Sequence, residues 1–591
     1  ALPTSAFIGQ AELFNPTSLR YRSVSTSGLP SALWGRSDQR VSWPGIRPPC
    51  RNVSRLDDSV STDRAETLDI VRQQEYDLAI VGGGIAGAGV ARDAAMRGLD
   101  TVPIDRGDFA AETTAWWARL VHGGLRYLEQ YEFGLVFESL QERETLADIA
   151  PHLVDPLEFL IPQYDESLPA RIKVGLGMLL YDVLSYNKTM PTHERLTGSE
   201  LAAREPALPA ENLQSGFLYH DRQVEFVERL CLETVLDAAA HGADVLNHAE
   251  VTEVRREGGE IAGVDVRDTI DQTRAELDSK AVLNATGPWA DDIVGEETDD
   301  SLVRGTKGIH LVVPSLTDHA LTLPTTDGRV IFVVPWNGMS LLGTTDTDFT
   351  GDPAAARATA SDVAYLLDEA RRFFPDLDED DIVYSYAGVR PLYNSDPQAD
   401  ASDVSREHRV VDHDTDGLFS LVGVKITPHR SAAADATDAI AGYLGVHGEC
   451  QTASVPLPGG RGDPDPDLDT DLAADVRAHL TSLYGSRAAD VIDRIEATPR
   501  LGQRLCDHTS DVLAQVAVAV DEEYARSLAD VMLRRCTVGY EPCEGRDAVE
   551  TVADEMAARL DWDDQRRRAE IEQYESILDR RHSFRDDDAT A

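Results

Sequence analysis

The sequence predicts an α/β fold combined with an α+β fold: a Rossmann-like dinucleotide-binding domain, a domain built on an antiparallel sheet, and a C-terminal helical domain. Three observations predict this. A strand, a glycine-spaced turn, a helix and a second strand follow one another between Tyr76 and Asp105. Short alternating apolar runs cluster between residues 310 and 345. Beyond a proline- and aspartate-rich tract at 462–471, the chain reads as helical.

Residues 1–74 stand apart. Up to Arg55 the only acids are Glu12 and Asp38, against seven arginines, and apolar periodicity is poor. Arg- and Ser-rich, acid-poor N-termini can be transit peptides. In so acidic a chain, the reading is a disordered extension or a start assigned too far upstream, with no part in the site. From residue 75 the elements follow in order. The apolar run 78–81 has the length of a buried parallel strand. Gly82, Gly84 and Gly87 then fit G-x-G-x-x-G. The first allows a tight turn, the second lets backbone approach a pyrophosphate, and the third lets the helix pack on the strand. Residues 85–97 are alanine-rich and proline-free, hence a helix whose N-terminus favours phosphate. A second strand at 101–104 ends at Asp105, placed to bond ribose hydroxyls. These features together are a strong dinucleotide signal, but they do not separate FAD from NAD.

Helical patterns cover 128–149 and 167–185, and mixed turn signals cover 187–222. A helix is expected at 223–241 and a strand bearing Val251 at 243–254. Further strands are expected at 264–266, 281–284, 310–314, 329–335, 340–345 and 418–422, with a helix near 431–444. We divide the chain into 75–455, where the dinucleotide and β-rich domains interleave, an acidic linker at 456–471, and a helical domain at 472–591. Its clear helices are 472–484, 510–535 and 549–560.

Fifty-five Lys+Arg face 104 Asp+Glu, a formal charge of −49, and five of the basic residues are lysines. This excludes nucleic acid and disfavours anionic lipid as general partners. The acid is spread along the chain, which suggests a salt-loving host. In molar salt the Debye length is about 3 Å and self-repulsion is screened. No apolar stretch is long enough to span a membrane. The six cysteines match no usual zinc or iron–sulfur spacing. They read as reduced thiols of a cytoplasmic protein, with no metal expected.

Several stretches carry a resemblance: RLVHGGLRYLE at 119–129, NATGPWAD at 284–291, KGIHLVVP at 307–314, LLGTTDTD at 341–348, YAGVRPL at 386–392 and VGVKITPHR at 422–430. In this order they resemble the FAD-dependent glycerol-3-phosphate dehydrogenases, of the glycine/D-amino-acid oxidase superfamily. The resemblance covers roughly 75–575 and includes EEYARSLADVMLRR at 522–535. It implies bound FAD and oxidation of sn-glycerol 3-phosphate to dihydroxyacetone phosphate. The hydride goes to flavin N5, and electrons pass to the quinone pool directly or through partner subunits. It also implies peripheral contact with the cytoplasmic face of a membrane. The oligomeric state stays open.

That chemistry sets three tasks. A phosphate dianion needs cations, best the forked donors of arginine. The departing hydroxyl proton needs a base. Negative charge building near flavin N1 needs a positive group. The resemblance puts Arg126 and Arg390 on the substrate, and Lys425 on flavin N1/O2 or the substrate. His122 is the candidate base, with His310 and His429 as rivals. Gly82, Gly84, Gly87, Asp105, Val251, Ala285, Thr286, Gly287, Gly423 and Lys425 are the expected cofactor contacts, with Asn284 turning close to the phosphates. Lys307 matches a second family lysine, and Thr345 and Asp346 either end a strand near the flavin or form a plain hairpin turn. Two stretches depart from the family pattern. Glu112, Trp116 and Trp117 stand in a usually small polar run, and Val424, Pro428 and His429 replace a glycine and Thr-Tyr. These departures leave alternatives open: a paralogue with another polyol phosphate, a FAD-binding subunit without turnover, or an oxygen-using oxidase.

Overall fold

The computed structural model describes residues 64–128, 132–164, 167–186, 188–295, 301–394, 407–463 and 470–585. A helix, Arg64–Val71, precedes the first strand. It buries Leu68 and Val71, and its Arg64 donates to the carbonyl oxygen of His248 at 3.0 Å. The end of the expected extension is therefore packed on the core, while residues 1–63 lie outside the described residues.

The dinucleotide domain is built on a seven-stranded sheet. Its parallel part runs Leu418–Val422, Arg274–Asn284, Glu75–Val81 and Thr101–Ile104, with Arg409–Asp412 antiparallel at one edge. A hairpin, Ala249–Glu257 and Glu260–Asp268, hangs from the N-terminal half of Arg274–Asn284. Glu75–Val81 is buried on both faces because Ile85–Met96 covers one side, which explains its unbroken apolar run. In register, Val81 faces Ile104 on one side and Asn284 on the other, so these strands end together. That shared C-terminal edge is where an open parallel sheet binds ligands.

The second sheet has ten strands. Its long central strand, Val303–Pro314, pairs with Tyr384–Tyr393, Met339–Gly343 and Thr347–Asp348. The sheet is antiparallel except where Ala320–Pro324 lies parallel to Asp155–Gln163. Asp155–Gln163 and Ser215–Gln223, which pair along nine residues, were not expected as strands. Pro156 and Pro162 interrupt the first, and the second is polar in sequence. Their pairing buries Phe159 against Tyr219, rings 5.0 Å apart.

The C-terminal part is helical as expected. The pattern at 510–535 resolves into Leu513–Asp521 and Leu528–Arg534, and a further helix, Asp564–His582, closes the chain. Leu513–Asp521 is buried from Leu513 to Val520, with Gln515 its one polar residue inside. Its core is continuous with that of the second sheet, joining Val516 and Val520 to Phe159, Trp336 and Tyr384. Of the acidic linker, residues 464–469 lie outside the described residues.

Candidate active site

The sheet edge opens into a cavity of about 240 Å³. Gly82, Gly84, Asp105, Val251, Ala285, Thr286, Gly287 and Gly423 all line it, each just beyond a strand end except Val251, which lies within Ala249–Glu257. Gly82 has φ +109°, and a Cβ at Gly87 would stand 1.9 Å from the Gly82 carbonyl oxygen. Only glycine permits that turn. Gly87 accordingly serves the packing and does not face the cavity. The helix beginning at Ile85 has no capping side chain of its own; Thr114 Oγ1 accepts the Ile85 N–H at 3.1 Å. Asp105 accepts from the N–H groups of Gly83 at 2.6 Å and Gly107 at 2.8 Å, which fixes its carboxylate at the cavity wall. Asn284 stands behind the edge, where its side chain bonds Ala290, Ser420 and Thr286. The glycine cradle, the exposed helix N-terminus and the acid at the second strand end fit a dinucleotide such as FAD. Glu112 also lines the cavity. Burial raises its carboxyl above the usual range, and the Arg106 guanidinium beside it opposes that shift.

A larger cavity of about 530 Å³ adjoins the first, and Thr113 and Trp117 line both. Trp116 lies in its wall, its ring 5.5 Å from that of Tyr386. Gly388 makes room for it, since a Cβ there would fall 2.9 Å from Trp116 Cβ. The two tryptophans that depart from the family pattern thus form the partition around the junction.

Arg390 reaches this cavity from Tyr384–Tyr393. Its guanidinium donates to Asp346 Oδ1 at 3.2 Å, Thr344 Oγ1 at 3.0 Å and the Thr345 carbonyl oxygen at 3.3 Å. Gly308 opposite leaves it space, as a Cβ there would fall 2.2 Å from Nη2. Asp346 and Thr345 therefore orient the arginine. Arg126 lies in the turn Leu125–Leu128, and its side chain is outside the described residues. Lys425 lines neither cavity; its ammonium sits 3.9 Å over the ring of Tyr127, which lines the larger one. Lys307 is drawn elsewhere. It pairs with Asp362 at 2.6 Å and donates to the Arg357 carbonyl oxygen.

His122 and His310 both face the larger cavity, and His429 does not. The His122 N–H donates to Thr427 Oγ1 at 3.1 Å, and its Nδ1 accepts the Gly124 N–H at 2.9 Å. With Nδ1 occupied as an acceptor, the neutral ring carries its proton on Nε2. Burial keeps that ring's pKa low, assisted by Lys425 and Arg143 and opposed by Asp221. His310 is 3% exposed, and neither ring nitrogen has a hydrogen-bond partner. Burial, Arg390 and Arg119 push it down to about 3. His429 caps its own turn, Nδ1 on the Ile426 carbonyl oxygen at 2.6 Å. Pro428 begins the helix His429–Leu444, and Val424 lines the dinucleotide cavity.

Beneath the site, Arg119 and Glu228 form a fully buried bidentate pair at 2.5 and 2.9 Å. The Tyr540 hydroxyl, from the helical domain, donates to Glu228 at 2.6 Å. Sequence reasoning missed Thr344 and Lys173 as lining residues, whereas Thr113 and Thr114 fall in the 112–117 run that the resemblance lays along the cofactor. Thr344 carries no signal beyond small size and a hydroxyl. Lys173 had one, a lysine inside an apolar helix of a chain with five lysines.

Comparison with known proteins bears on this geometry. Residues 77–425 match the family of FAD dependent oxidoreductases, and residues 450–567 match the C-terminal domain of alpha-glycerophosphate oxidase. A glycerol-3-phosphate dehydrogenase from Synechocystis is 36% identical over 541 residues, covering 86% of this chain and 97% of the relative. The aerobic glycerol-3-phosphate dehydrogenase of Bacillus subtilis is 31% identical, covering 88% of this chain and 97% of the relative. Among solved structures, the glycerol-3-phosphate dehydrogenase from Bacillus halodurans, complexed with FAD, superposes with a TM-score of 0.72 at 28% identity. That match covers 88% of this chain and 98% of the other.

Proposed function

The chain belongs to the FAD-dependent glycerol-3-phosphate dehydrogenases, and from that premise we propose how it holds its substrate, where the proton goes and where the electrons leave. It oxidises sn-glycerol 3-phosphate to dihydroxyacetone phosphate. Bound FAD supplies the acceptor for the hydride leaving C2. One observation carries the reading: the dinucleotide cavity and the larger cavity meet at Thr113 and Trp117, with Arg390, His122 and His310 around the second.

Arg390 binds the phosphate, its planar fork held by Asp346 and Thr344 and so already ordered. Arg126 is the second phosphate cation, on the strength of its family position. Lys425 adds positive charge beside His122 and the flavin edge. His122 donates Nε2–H to the C2 oxygen, because its other nitrogen is engaged by Gly124. The hydroxyl's own proton then passes to the unprotonated nitrogen of His310, neither of whose ring nitrogens has a hydrogen-bond partner. In the free enzyme burial chiefly, and Arg390 after it, depress its basicity; a phosphate dianion lying on Arg390 offsets the second of these. This reading exchanges the expected roles of His122 and His310. It predicts that His310→Asn lowers kcat about 100-fold or more, the usual worth of a general base. His122→Asn should chiefly raise KM. Steady-state rates with a dye acceptor, on variants of equal flavin content, check this. The opposite split would return the base to His122.

Electrons leave for a membrane quinone. Among the described residues, seven of nine large exposed apolar side chains form one patch. They are Ile172, Leu176, Leu179 and Val183 at helical spacing on Leu168–Leu184, with Phe133, Phe137 and Tyr186 beside them. Leu176 and Phe133 also line the larger cavity, which puts the patch beside it. Asp182, the helix's acidic residue, is paired with Lys188 and His193. Such a face suits peripheral insertion into a bilayer. No helix of the described residues is long and apolar enough to cross a membrane. The five cysteines among the described residues are free thiols, which suits a reducing, cytoplasmic side.

A further inference from the structure

Away from both cavities, Cys506, His508 and Cys543 converge on the helical domain. One ligand atom from each lies within 4.8 Å of the others. We propose that these three side chains form a binding site for a thiophilic divalent cation, zinc being the best match, which clips the loop carrying Cys506 and His508 to the loop following Val538–Tyr540.

The geometry is close to what the ion requires. With Zn–S near 2.3 Å and Zn–N near 2.0 Å, tetrahedral ligand atoms stand about 3.3–3.8 Å apart. Small rotations of three side chains reach that spacing. Both loops are held on their own account. Leu505 N–H donates to the Asp511 carbonyl oxygen at 3.0 Å, beside the bridge between Arg504 and Val512. Arg546 N–H donates to the Cys543 carbonyl oxygen at 3.0 Å. The donor set selects the metal: two thiolates and an imidazole favour zinc over the magnesium and calcium that carboxylates attract. His508 is 52% exposed, which gives the ion a path in and a water as fourth ligand. Asp547 Oδ2 lies 3.2 Å from His508 Nδ1, the outer contact that orients a ligating imidazole and raises its basicity.

Binding is an exchange of protons for the ion. Zinc takes cysteine as the thiolate, so each coordinating thiol gives up its proton on binding. Affinity therefore rises with pH. The pattern was hidden in the sequence because Cys506-x-His508 and Cys543 come from separate loops, and only the fold brings them together.

The test uses the full-length flavin-loaded enzyme, stripped of metal and titrated with zinc against a chromogenic chelator, with cobalt as a spectroscopic stand-in. We expect one zinc per chain, a rise in thermal midpoint on binding, and a thiolate-to-cobalt band in the near ultraviolet. His508→Ala, a change at an exposed side chain, should abolish the stoichiometric binding and the thermal shift while flavin content stays constant. Asp547→Asn should weaken affinity about 10–100-fold. Cys543→Ser should lose the cobalt band, whereas Cys450→Ser keeps it. Equal zinc binding by wild type and His508→Ala would overturn the proposal. So would recovery of Cys506 and Cys543 as a disulfide from freshly prepared enzyme.

Discussion

Arg390 and Lys425 are the cations we propose for the substrate's charge, and they differ in how they are held. Arg390 is fixed by three acceptors, whereas Lys425 rests on the face of Tyr127. We predict that Arg390→Ala and Lys425→Ala each cut kcat/KM by about 100-fold or more, equivalent to about 2.7 kcal/mol of transition-state binding. Steady-state assays in high salt check this, and near-normal turnover in both variants would remove them from the mechanism. At this scale the sequence was legible where chemistry fixed one residue type, as at Gly82, Gly87, Asp105 and Arg390. At Lys307 it gave no sign of the partner found there, the capping aspartate Asp362. It could not show which nitrogen of His122 the Gly124 N–H engages, because that depends on the turn at 122–124.

At the scale of elements, periodicity located Thr101–Ile104, Leu418–Val422 and Val549–Leu560 to the residue. These segments have one clear buried face or none exposed. Asp155–Gln163 and Ser215–Gln223 were invisible because their strand character comes from each other and from the rings between them. The element with the plainest functional consequence is Leu168–Leu184. Its apolar stripe faces outward, the reverse of what a core helix does. We predict that the wild type sediments with phosphatidylcholine vesicles in high salt, where charge attraction is screened. Leu179→Asp/Val183→Asp should abolish sedimentation and quinone reduction while dye-linked turnover persists. Equal sedimentation of variant and wild type would mean that another surface meets the lipid.

Across the whole molecule, the charge of −49 coexists with buried ion pairs that tie the parts together. Asp108, beside the dinucleotide cavity, is gripped by Arg534 and Arg535 of the helical domain, and Glu228 by Arg119 and Tyr540. These dry pairs are little affected by salt, but the acidic surface is not. We therefore predict a thermal midpoint that falls as salt drops below roughly 0.5 M, where screening weakens. A midpoint unchanged in dilute buffer would show that the surface charge is inert. The helical domain was legible as helices, but its shared core with the second sheet was not, since that contact joins distant residues. All of these features serve one centre: a flavin dinucleotide on the glycine turn, with a phosphorylated polyol held against it. The most direct measurement is anaerobic addition of glycerol 3-phosphate to the purified yellow protein in high salt. The visible flavin absorption should bleach and one equivalent of dihydroxyacetone phosphate should form. A colourless protein that takes up no FAD, or a flavin whose absorption the substrate leaves unchanged, would contradict the account.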